Sequence, residues 1–420
     1  MKTYIIKCGK LYDGKTDVLQ DKMEILVEDN RIKEVDKHVA APAGAEVIDL
    51  SDATVTPGLI DAHVHFSFGD WRTRSHDVIY EAPIYKGMYA LYNAKKSMLR
   101  GFTTIRHCGC NCDDGYSVVV AKRLLNDGHF VGSRIVQAPH YVSTTRGHGD
   151  FSQLIMTNPK LSTYIWENYP GFGSGPDMFR EVVRRQVKYG ADFIKMFASG
   201  GFNSEADGPE DYTFTDEEMQ AIIEVSHQMH MKVASHTYSP ELAYKQIGMG
   251  IDDIEHGALF NDPKLLDLMK QKGVHFVPTF TPYESVIKLD EDNLRKQTPG
   301  MQRKLRKYQE WLMDARKVIV NSDIPLGYGT DFVAVHNPYE GGWEYNSMLT
   351  SGVDPFRALA AATRVNADIL SMPNDIGAIA PGYYADIAAW KRDLLSDPHA
   401  LLDCYFVMKD GVVYKTEQDI

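Results

Sequence analysis

The sequence predicts an α/β protein, a (β/α)8 TIM barrel with a small discontinuous β-sandwich domain built from both chain termini. Strand-like and helix-like segments alternate through the middle of the chain, and βαβ alternation requires a parallel sheet. Both ends are instead rich in short strands. The 420 residues suffice for a barrel of roughly 250 residues plus an accessory domain. We place the sandwich in residues 1–56 plus 380–420 and the barrel in residues 57–379.

The terminal segments predict strands because β-branched residues alternate there with turn signals. TYIIKCGKLYDG, MEILVEDNRIKEV and AEVIDLSDATVTP are separated by Asp-Gly, Glu-Asp-Asn and Pro-Ala-Gly, which favour turns. ADIAAWK and YFVMKDGVVYK near the other end have the same character, and Asp410-Gly411 predicts a hairpin turn. Together they indicate one domain made from both ends.

Eight strand–helix units are predicted between these ends. Pro176 and Asp177 open one helix, and Thr215 to Glu218 form a capping box for the next. A long loop is predicted at 144–175, where five glycines occur, and loops of that length are often functional. The strands are LIDAHVH, FTTIRHCG, SRIVQAPHYVS, ADFIKMFASGG, KVASHTY, DDIEHG, VHFVPTF and IPLGYGTD, and the helices cover about 82–100, 115–127, 176–189, 215–230, 240–249, 262–272, 300–321 and 355–370.

Composition excludes several classes of protein. The hydrophobic fraction of 44% and charged fraction of 24% are those of an ordinary globular protein. A net charge of -12 without a long basic run argues against nucleic acid and anionic membranes as partners. The N-terminus has no signal-peptide pattern and no run approaches 18 apolar residues, so we expect a cytoplasmic protein.

Five cysteines argue against a disulfide framework because their number is odd. Cys108, Cys110 and Cys112 are too closely spaced for an ordinary structural zinc site, and no second pair accompanies them. We interpret them as reduced thiols in a loop, with oxidation or adventitious metal capture left open.

His63 and His65 end the first barrel strand. Alternate side chains share one face of a strand, so both imidazoles point the same way and could hold a divalent metal. His-x-His alone is a weak signal that a surface or core pair would equally explain.

Further polar residues end other barrel strands, where the active sites of such barrels lie. Lys195 could snorkel, but a lysine within an apolar strand is costly unless its charge is neutralised. A single histidine could be structural, and Asp331 could cap a helix. Their joint occurrence favours one site, formed by His63, His65, Lys195, His236, His256 and Asp331.

With these residues in place, the chain resembles the amidohydrolase superfamily along nearly its whole length. PGLIDAHVH, FIKMFASGG, His236, IEHG and GTD match its pattern in order. The resemblance implies two divalent metals, usually zinc. His63 and His65 would bind one metal, and His236 and His256 the other; Lys195, carboxylated by carbon dioxide, would bridge them, and Asp331 would complete the first metal's ligands.

The resemblance also implies a mechanism. A water shared by two metals would ionise near neutral pH and attack a carbonyl. Asp331 would take its proton and pass it to the leaving nitrogen, as a general acid–base catalyst does.

RGHGD and SHTY resemble the branch of dipeptidases and carboxypeptidases, which includes prolidase-like and Xaa-Arg/Lys-type enzymes. This implies cleavage of the C-terminal amide of dipeptides or N-acyl amino acids, with His148 and Tyr238 on the substrate carboxylate and Arg146 as a further anion partner. Tyr238 could instead simply pack, His148 could belong to a mobile loop, and Arg146 could be solvated. The branch further implies a homo-oligomer, with an octamer as one size.

One departure concerns the second strand, where relatives carry an acidic residue and a glycine pair after Arg106. Here His107 to Cys110 follow, which changes the pocket wall and leaves His107 open as an extra ligand. The rival functions are a one-metal cyclic amidase of the imidazolonepropionase type, a deaminase and a non-catalytic scaffold. Loop residues that could read the substrate side chain are Asp207, Glu210, Asp211, Tyr283 and Glu284.

Overall fold

The computed structural model describes residues 2–68, 81–110, 116–155, 157–202, 207–332 and 339–416. It confirms the predicted fold class, a nearly closed parallel barrel beside a separate sheet from the two chain ends. Cys112, which belongs to the predicted cysteine cluster, lies outside the described residues. The proposed domain boundaries stay a prediction.

Strands and helices are numbered in chain order within the described ranges. The strands are β1 (Thr3–Tyr12), β2 (Leu19–Asp21), β3 (Glu24–Glu28), β4 (Arg31–Asp36), β5 (Glu46–Pro57), β6 (Leu59–Val64), β7 (Phe102–Cys110), β8 (Arg134–Thr144), β9 (Phe172–Gly173), β10 (Ile194–Phe197), β11 (Val233–Thr237), β12 (Asp253–His256), β13 (His275–Val277), β14 (Ile387–Trp390), β15 (Cys404–Lys409) and β16 (Val412–Lys415). The α-helices are α1 (Pro83–Leu99), α2 (Ser117–Asn126), α3 (Pro159–Asn168), α4 (Pro176–Lys188), α5 (Asp216–Gln228), α6 (Pro240–Met249), α7 (Pro263–Lys272), α8 (Glu284–Ile287), α9 (Glu291–Leu294), α10 (Pro299–Asn321), α11 (Gly342–Thr350), α12 (Pro355–Ala360) and α13 (Asn366–Ile369).

The first sheet joins the two chain ends. Its strand order is β16-β15-β14-β5-β1-β3-β4, with β2 paired to β1. β5 runs parallel to β1 and antiparallel to β14, so the N- and C-terminal strands share one ladder. Ile6, Val27, Val55, Ile387 and Met408 are fully buried in its core.

The second sheet is the barrel, in the order β13-β12-β11-β10-β8-β7-β6, with β9 paired to β8. The eighth predicted strand, residues 324–331, runs between β13 and β6 without forming a regular ladder. We call it the closing segment. Its Gly327 N–H donates to the Phe276 carbonyl at 2.7 Å, and its Asp331 N–H donates to the His63 carbonyl at 2.8 Å. The Tyr328 carbonyl accepts from the Ala62 N–H at 2.8 Å, while the Asn366 side chain occupies the Tyr328 N–H and also donates to that carbonyl.

Two local predictions are wrong in the structure. The predicted loop 144–175 contains a 3₁₀-helix, Phe151–Ile155, and the helix α3. The Asn158 side chain caps α3, and Pro159 occupies its first turn, a helix-start signal that the glycines obscured. The predicted helix at about 355–370 is confirmed: residues 355–369 are helical without a break, with a π-helical turn, Ala361–Val365, between α12 and α13.

The second wrong prediction concerns the cysteines. Cys108 and Cys110 lie buried in β7, outside any disulfide, and not in a loop, because the β7 ladder with β8 extends to Cys110.

Among the described helices, none has the length and apolar character that crossing a membrane would require.

Candidate active site

The six predicted ligands meet at the C-terminal end of the barrel. His63, Lys195, His236 and His256 lie on β6, β10, β11 and β12, while His65 follows β6 and Asp331 lies in the closing segment. The ring centroids of His63 and His256 are 4.8 Å apart, those of His236 and His256 4.5 Å, and those of His63 and His65 5.4 Å. The strands therefore bring four imidazoles into one cluster.

Each imidazole is held through one ring nitrogen, which leaves the other nitrogen available. Such contacts fix the tautomer and the orientation of metal-binding histidines. The contacts are His63 Nδ1 with Glu255 Oε2 at 2.6 Å, His65 Nδ1 with the Gly109 carbonyl at 2.8 Å, His236 Nε2 with the Gly200 carbonyl at 3.3 Å, and His256 Nδ1 with Thr279 Oγ1 at 2.8 Å.

The atoms left available are suited to a divalent metal. His63 Nε2 and Lys195 Nζ are buried, and neither has a hydrogen-bond partner among the described residues. Asp331 Oδ1 lies 3.5 Å from Nε2 of both His63 and His65, and the three ligand atoms fall within 4.8 Å of one another. Buried polar atoms without partners are costly, whereas imidazole and carboxylate are ordinary zinc ligands. The residues present therefore fit a bound divalent metal ion.

Burial controls the protonation of this cluster. It lowers the pKa values of the four imidazoles, that of His65 to about 4, and the nearby Lys195 charge lowers them further. Burial also lowers the pKa of Lys195 and raises that of Asp331 to about 7. The histidines are therefore neutral, as metal ligands must be. Bound dications would lower the pKa of Asp331.

A buried ion network lies beneath the cluster and holds His63. The Arg106 guanidinium crosses the barrel interior and donates to Glu255, to Asp253 Oδ2 at 3.0 Å and to the Ala62 carbonyl at 2.6 Å. Glu255 is thus fixed where its other oxygen meets His63. We did not predict this role of Glu255 or Arg106 from the sequence, although Glu255 directly precedes His256 in IEHG.

The Asp61 side chain connects β6 to the closing segment. Its carboxylate accepts hydrogen bonds from Thr330 Oγ1 at 2.6 Å and Tyr339 Oη at 2.7 Å, and from the backbone N–H of Thr330 and His63. Asp331 has φ +49° and His256 φ +72°, a left-handed conformation that non-glycine residues adopt at a cost, often at functional sites. The Asp61 contacts thus help to hold Asp331 against the histidines.

Two of the three predicted substrate contacts flank the imidazole cluster. The His148 ring stacks on the His236 ring, with the two centroids 4.7 Å apart, and His148 Nδ1 lies 3.0 Å from Asp207 Oδ2. A Cβ on Gly201 would lie 2.1 Å from His148 Cε1, so any other residue at 201 would displace the His148 ring. The Tyr238 ring packs 5.4 Å from that of His256.

Arg146, the third predicted contact, is exposed, and its described hydrogen bond runs from its backbone N–H to Asp150 at 2.9 Å. Its role at the substrate stays a prediction. His107 is buried against Phe66 and belongs to neither group of close ligand atoms found in the described residues. The second such group joins Cys108 with His63 and Glu255. Burial raises the pKa of the Cys108 thiol to about 12.

Comparison with known proteins agrees with this geometry. The profile of the amidohydrolase family matches residues 54–416. An ochratoxinase from Aspergillus niger is 27% identical over 412 residues, which cover 94% of this chain and 82% of that protein. The crystal structure of a Xaa-Pro dipeptidase with methionine bound in its active site superposes with a TM-score of 0.84 at 30% identity, covering 99% of this chain and 100% of that one. A prolidase complexed with N-methylphosphonate-L-proline gives a TM-score of 0.83 at 24% identity over 99% and 100% of the two chains, and shows the fold alone.

Proposed function

Because the chain belongs to the amidohydrolase family and is a hydrolase of amide bonds, we propose that it cleaves the C-terminal amide bond of dipeptides or N-acyl amino acids. One observation carries this proposal: the hydrogen-bonding residues His148 and Tyr238 lie against the imidazole cluster, where a substrate carboxylate would be held beside the reacting amide. The likeness to a Xaa-Pro dipeptidase over the whole chain supports the same substrate class.

The metal content we propose is two zinc ions. His63, His65 and Asp331 would hold one, His236 and His256 the other, and a carboxylated Lys195 would contact both. Divalent ions bound there would polarise a carbonyl and bring the pKa of a bound water toward 7. The buried Lys195 has a lowered pKa, so its neutral amine can add carbon dioxide, forming a carbamate and releasing one proton. This replaces a buried ammonium with an anion.

Asp331 is the residue we propose to move the proton. Its carboxylate lies 3.5 Å from Nε2 of both His63 and His65, and its side chain is 19% exposed. It would accept a proton from the attacking water and give it to the leaving nitrogen as the C–N bond breaks. The products are a carboxylic acid and an amine.

His148 and Tyr238 would bind the substrate's free carboxylate. If so, an N-acyl amino acid should be cleaved about 10²-fold or more faster than its C-terminal amide, because a site built for a polar group loses hydrogen bonds when that group is absent. Tyr238→Phe should reduce this ratio of cleavage rates, because it should slow cleavage of the acid more than cleavage of the amide. The measurement is kcat/KM for both compounds with both proteins.

The control is Tyr244→Phe, since Tyr244 is exposed on α6 and its hydroxyl bonds Asp262 instead. If the parent enzyme cleaves the acid and the amide at equal rates, carboxylate recognition is refuted. The protein would then be interpreted as a general amidase.

We further propose a homo-oligomer, with an octamer as the size that the resemblance implies. Ile84, Met88 and Tyr92 on α1 and Val120 on α2 are exposed apolar side chains on neighbouring helices, and exposed apolar patches often mark interfaces. Light scattering should give a multiple of the 47.3 kDa chain mass. A monomer mass at working concentration would refute the assembly.

A further inference from the structure

A single peptide group joins a proposed metal ligand to a proposed substrate contact. Its carbonyl, on Gly200, lies 3.3 Å from Nε2 of the ligand His236. Its N–H, on Gly201, donates to Asp207 Oδ2 at 3.0 Å, and the same oxygen lies 3.0 Å from Nδ1 of His148. The His148 and His236 rings stack on each other, with centroids 4.7 Å apart and 21° between the ring planes. These contacts therefore form a closed circuit between the two imidazoles.

The acceptors in this circuit fix which ring nitrogens are available. A carboxylate only accepts hydrogen bonds, so His148 donates from Nδ1 to Asp207. A carbonyl also only accepts, so His236 donates from Nε2 and keeps the lone pair of Nδ1 for a metal. The nitrogen of His148 that is left for a substrate carboxylate is therefore Nε2. The Asp207 carboxylate balances the charge of a ring that donates from both nitrogens.

The connection between the two imidazoles is short and closely packed. The Asp207 side chain is 4% exposed, and a Cβ on Gly201 would lie 2.1 Å from His148 Cε1. Lys304 Nζ, on α10, donates to the Asp207 backbone carbonyl at 2.6 Å, which anchors this residue independently of its carboxylate. A shift of either imidazole would break a hydrogen bond or the stacking contact.

We propose that Asp207 is a positioning residue that fixes His148 relative to the metal ligand His236, so that the site selects a carboxylate at the distance found in an α-amino acid. The inference rests on the proposed function, in which His148 holds the substrate carboxylate beside the reacting amide. One carbon separates the carboxylate from the amide nitrogen in an N-acyl α-amino acid, whereas two carbons separate them in an N-acyl β-amino acid. Because a fixed His148 does not follow the extra carbon, β-amino acids should be disfavoured.

Ligand binding tests this selection without turnover. Titration calorimetry on the zinc-loaded protein compares N-methylphosphonate-glycine with N-methylphosphonate-β-alanine, which differ by one methylene. The parent should bind the glycine compound about tenfold or more tightly than the β-alanine compound, as one methylene permits. Asp207→Ala should weaken the glycine compound about tenfold, the effect of one charge-assisted hydrogen bond, and the β-alanine compound less. Asp314→Ala, an exposed change on α10, is the control and should keep the parent ratio of the two affinities.

Two further variants separate the position of His148 from other effects of Asp207. In Asp207→Asn the amide oxygen can accept the same two hydrogen bonds, so the ratio of the two affinities should stay near the parent value. Gly201→Ala instead places a methyl group against the His148 ring, and the ratio should fall as it does in Asp207→Ala. Gly248→Ala is the matched control, because a Cβ there would have nothing within 4 Å.

The inference is overturned by a parent-like ratio in folded Asp207→Ala or Gly201→Ala. A ratio as low in Asp207→Asn as in Asp207→Ala would also overturn it, because the charge of Asp207 and not the position of His148 would then set the preference. The carboxamide of the glycine compound tests the proposed function separately. A parent that binds this carboxamide and the acid equally would overturn carboxylate recognition and the inference with it. A parent that prefers the acid but binds the glycine and β-alanine compounds alike would overturn the inference alone.

Discussion

Lys195→Ala is expected to lose most of its bound metal and most of its activity. Lys195 Nζ is buried at the end of β10 without a hydrogen-bond partner among the described residues, and its pKa is lowered by burial. Such a group is unstable as a buried ammonium, whereas a carbamate would offset two dications. Metal content, by elemental analysis, and kcat should therefore fall together when the amine is removed.

Short carboxylic acids provide a specific rescue for this variant. Acetate or propionate could occupy the volume of the missing carbamate and restore part of both metal and activity. Lys188→Ala, on the exposed end of α4, is the matched control and should behave as the parent. Full activity in Lys195→Ala with unchanged metal content would remove the binuclear proposal.

The metal content of the parent protein also separates the rival functions. About two ions per chain favour the dipeptidase, one ion favours a cyclic amidase that needs no carboxylated lysine, and none favours a scaffold.

The barrel could be predicted from the sequence because the signals for each strand and helix are local and recur along the chain. Each strand ends at a recognisable boundary, and parallel strands carry their C-terminal residues to one edge. His63, His236 and His256 could thus be placed together from three separate segments of the chain. The resemblance to the amidohydrolase superfamily, which the family profile confirms, relied on the same strand ends.

What the sequence did not reveal depends on contacts between distant residues. Tyr283 and Tyr238 are separated by 45 positions, and Arg106 and Glu255 by 149, so no local pattern records either pair. The segment 324–331 shows the same dependence, since the Asn366 side chain bonds the Tyr328 N–H and carbonyl from 38 positions further along the chain. The Glu344 carboxylate likewise accepts from the backbone N–H groups of Phe280 and Thr281, which lie more than sixty residues earlier in the chain.

Asp331→Asn is expected to reduce kcat by about 10²- to 10⁴-fold, the usual contribution of general acid–base transfer. The amide cannot take a proton from water and return it to the leaving nitrogen, yet it has nearly the same shape. The fold should persist, since the backbone N–H of Asp331 still donates to the His63 carbonyl and Thr330 still bonds Asp61. Circular dichroism and thermal unfolding check this point.

Metal content decides how the loss in Asp331→Asn is interpreted. Asp331 is proposed both to bind metal and to move the proton, and the asparagine oxygen can still serve as a ligand. If zinc content stays near the parent value while kcat falls by 10² or more, the proton-transfer role accounts for the loss; a parallel fall in zinc would assign it to the ligand role. Asp314→Asn, an exposed change on α10, should leave both unchanged. A loss below about tenfold with full zinc content would mean that another group moves the proton.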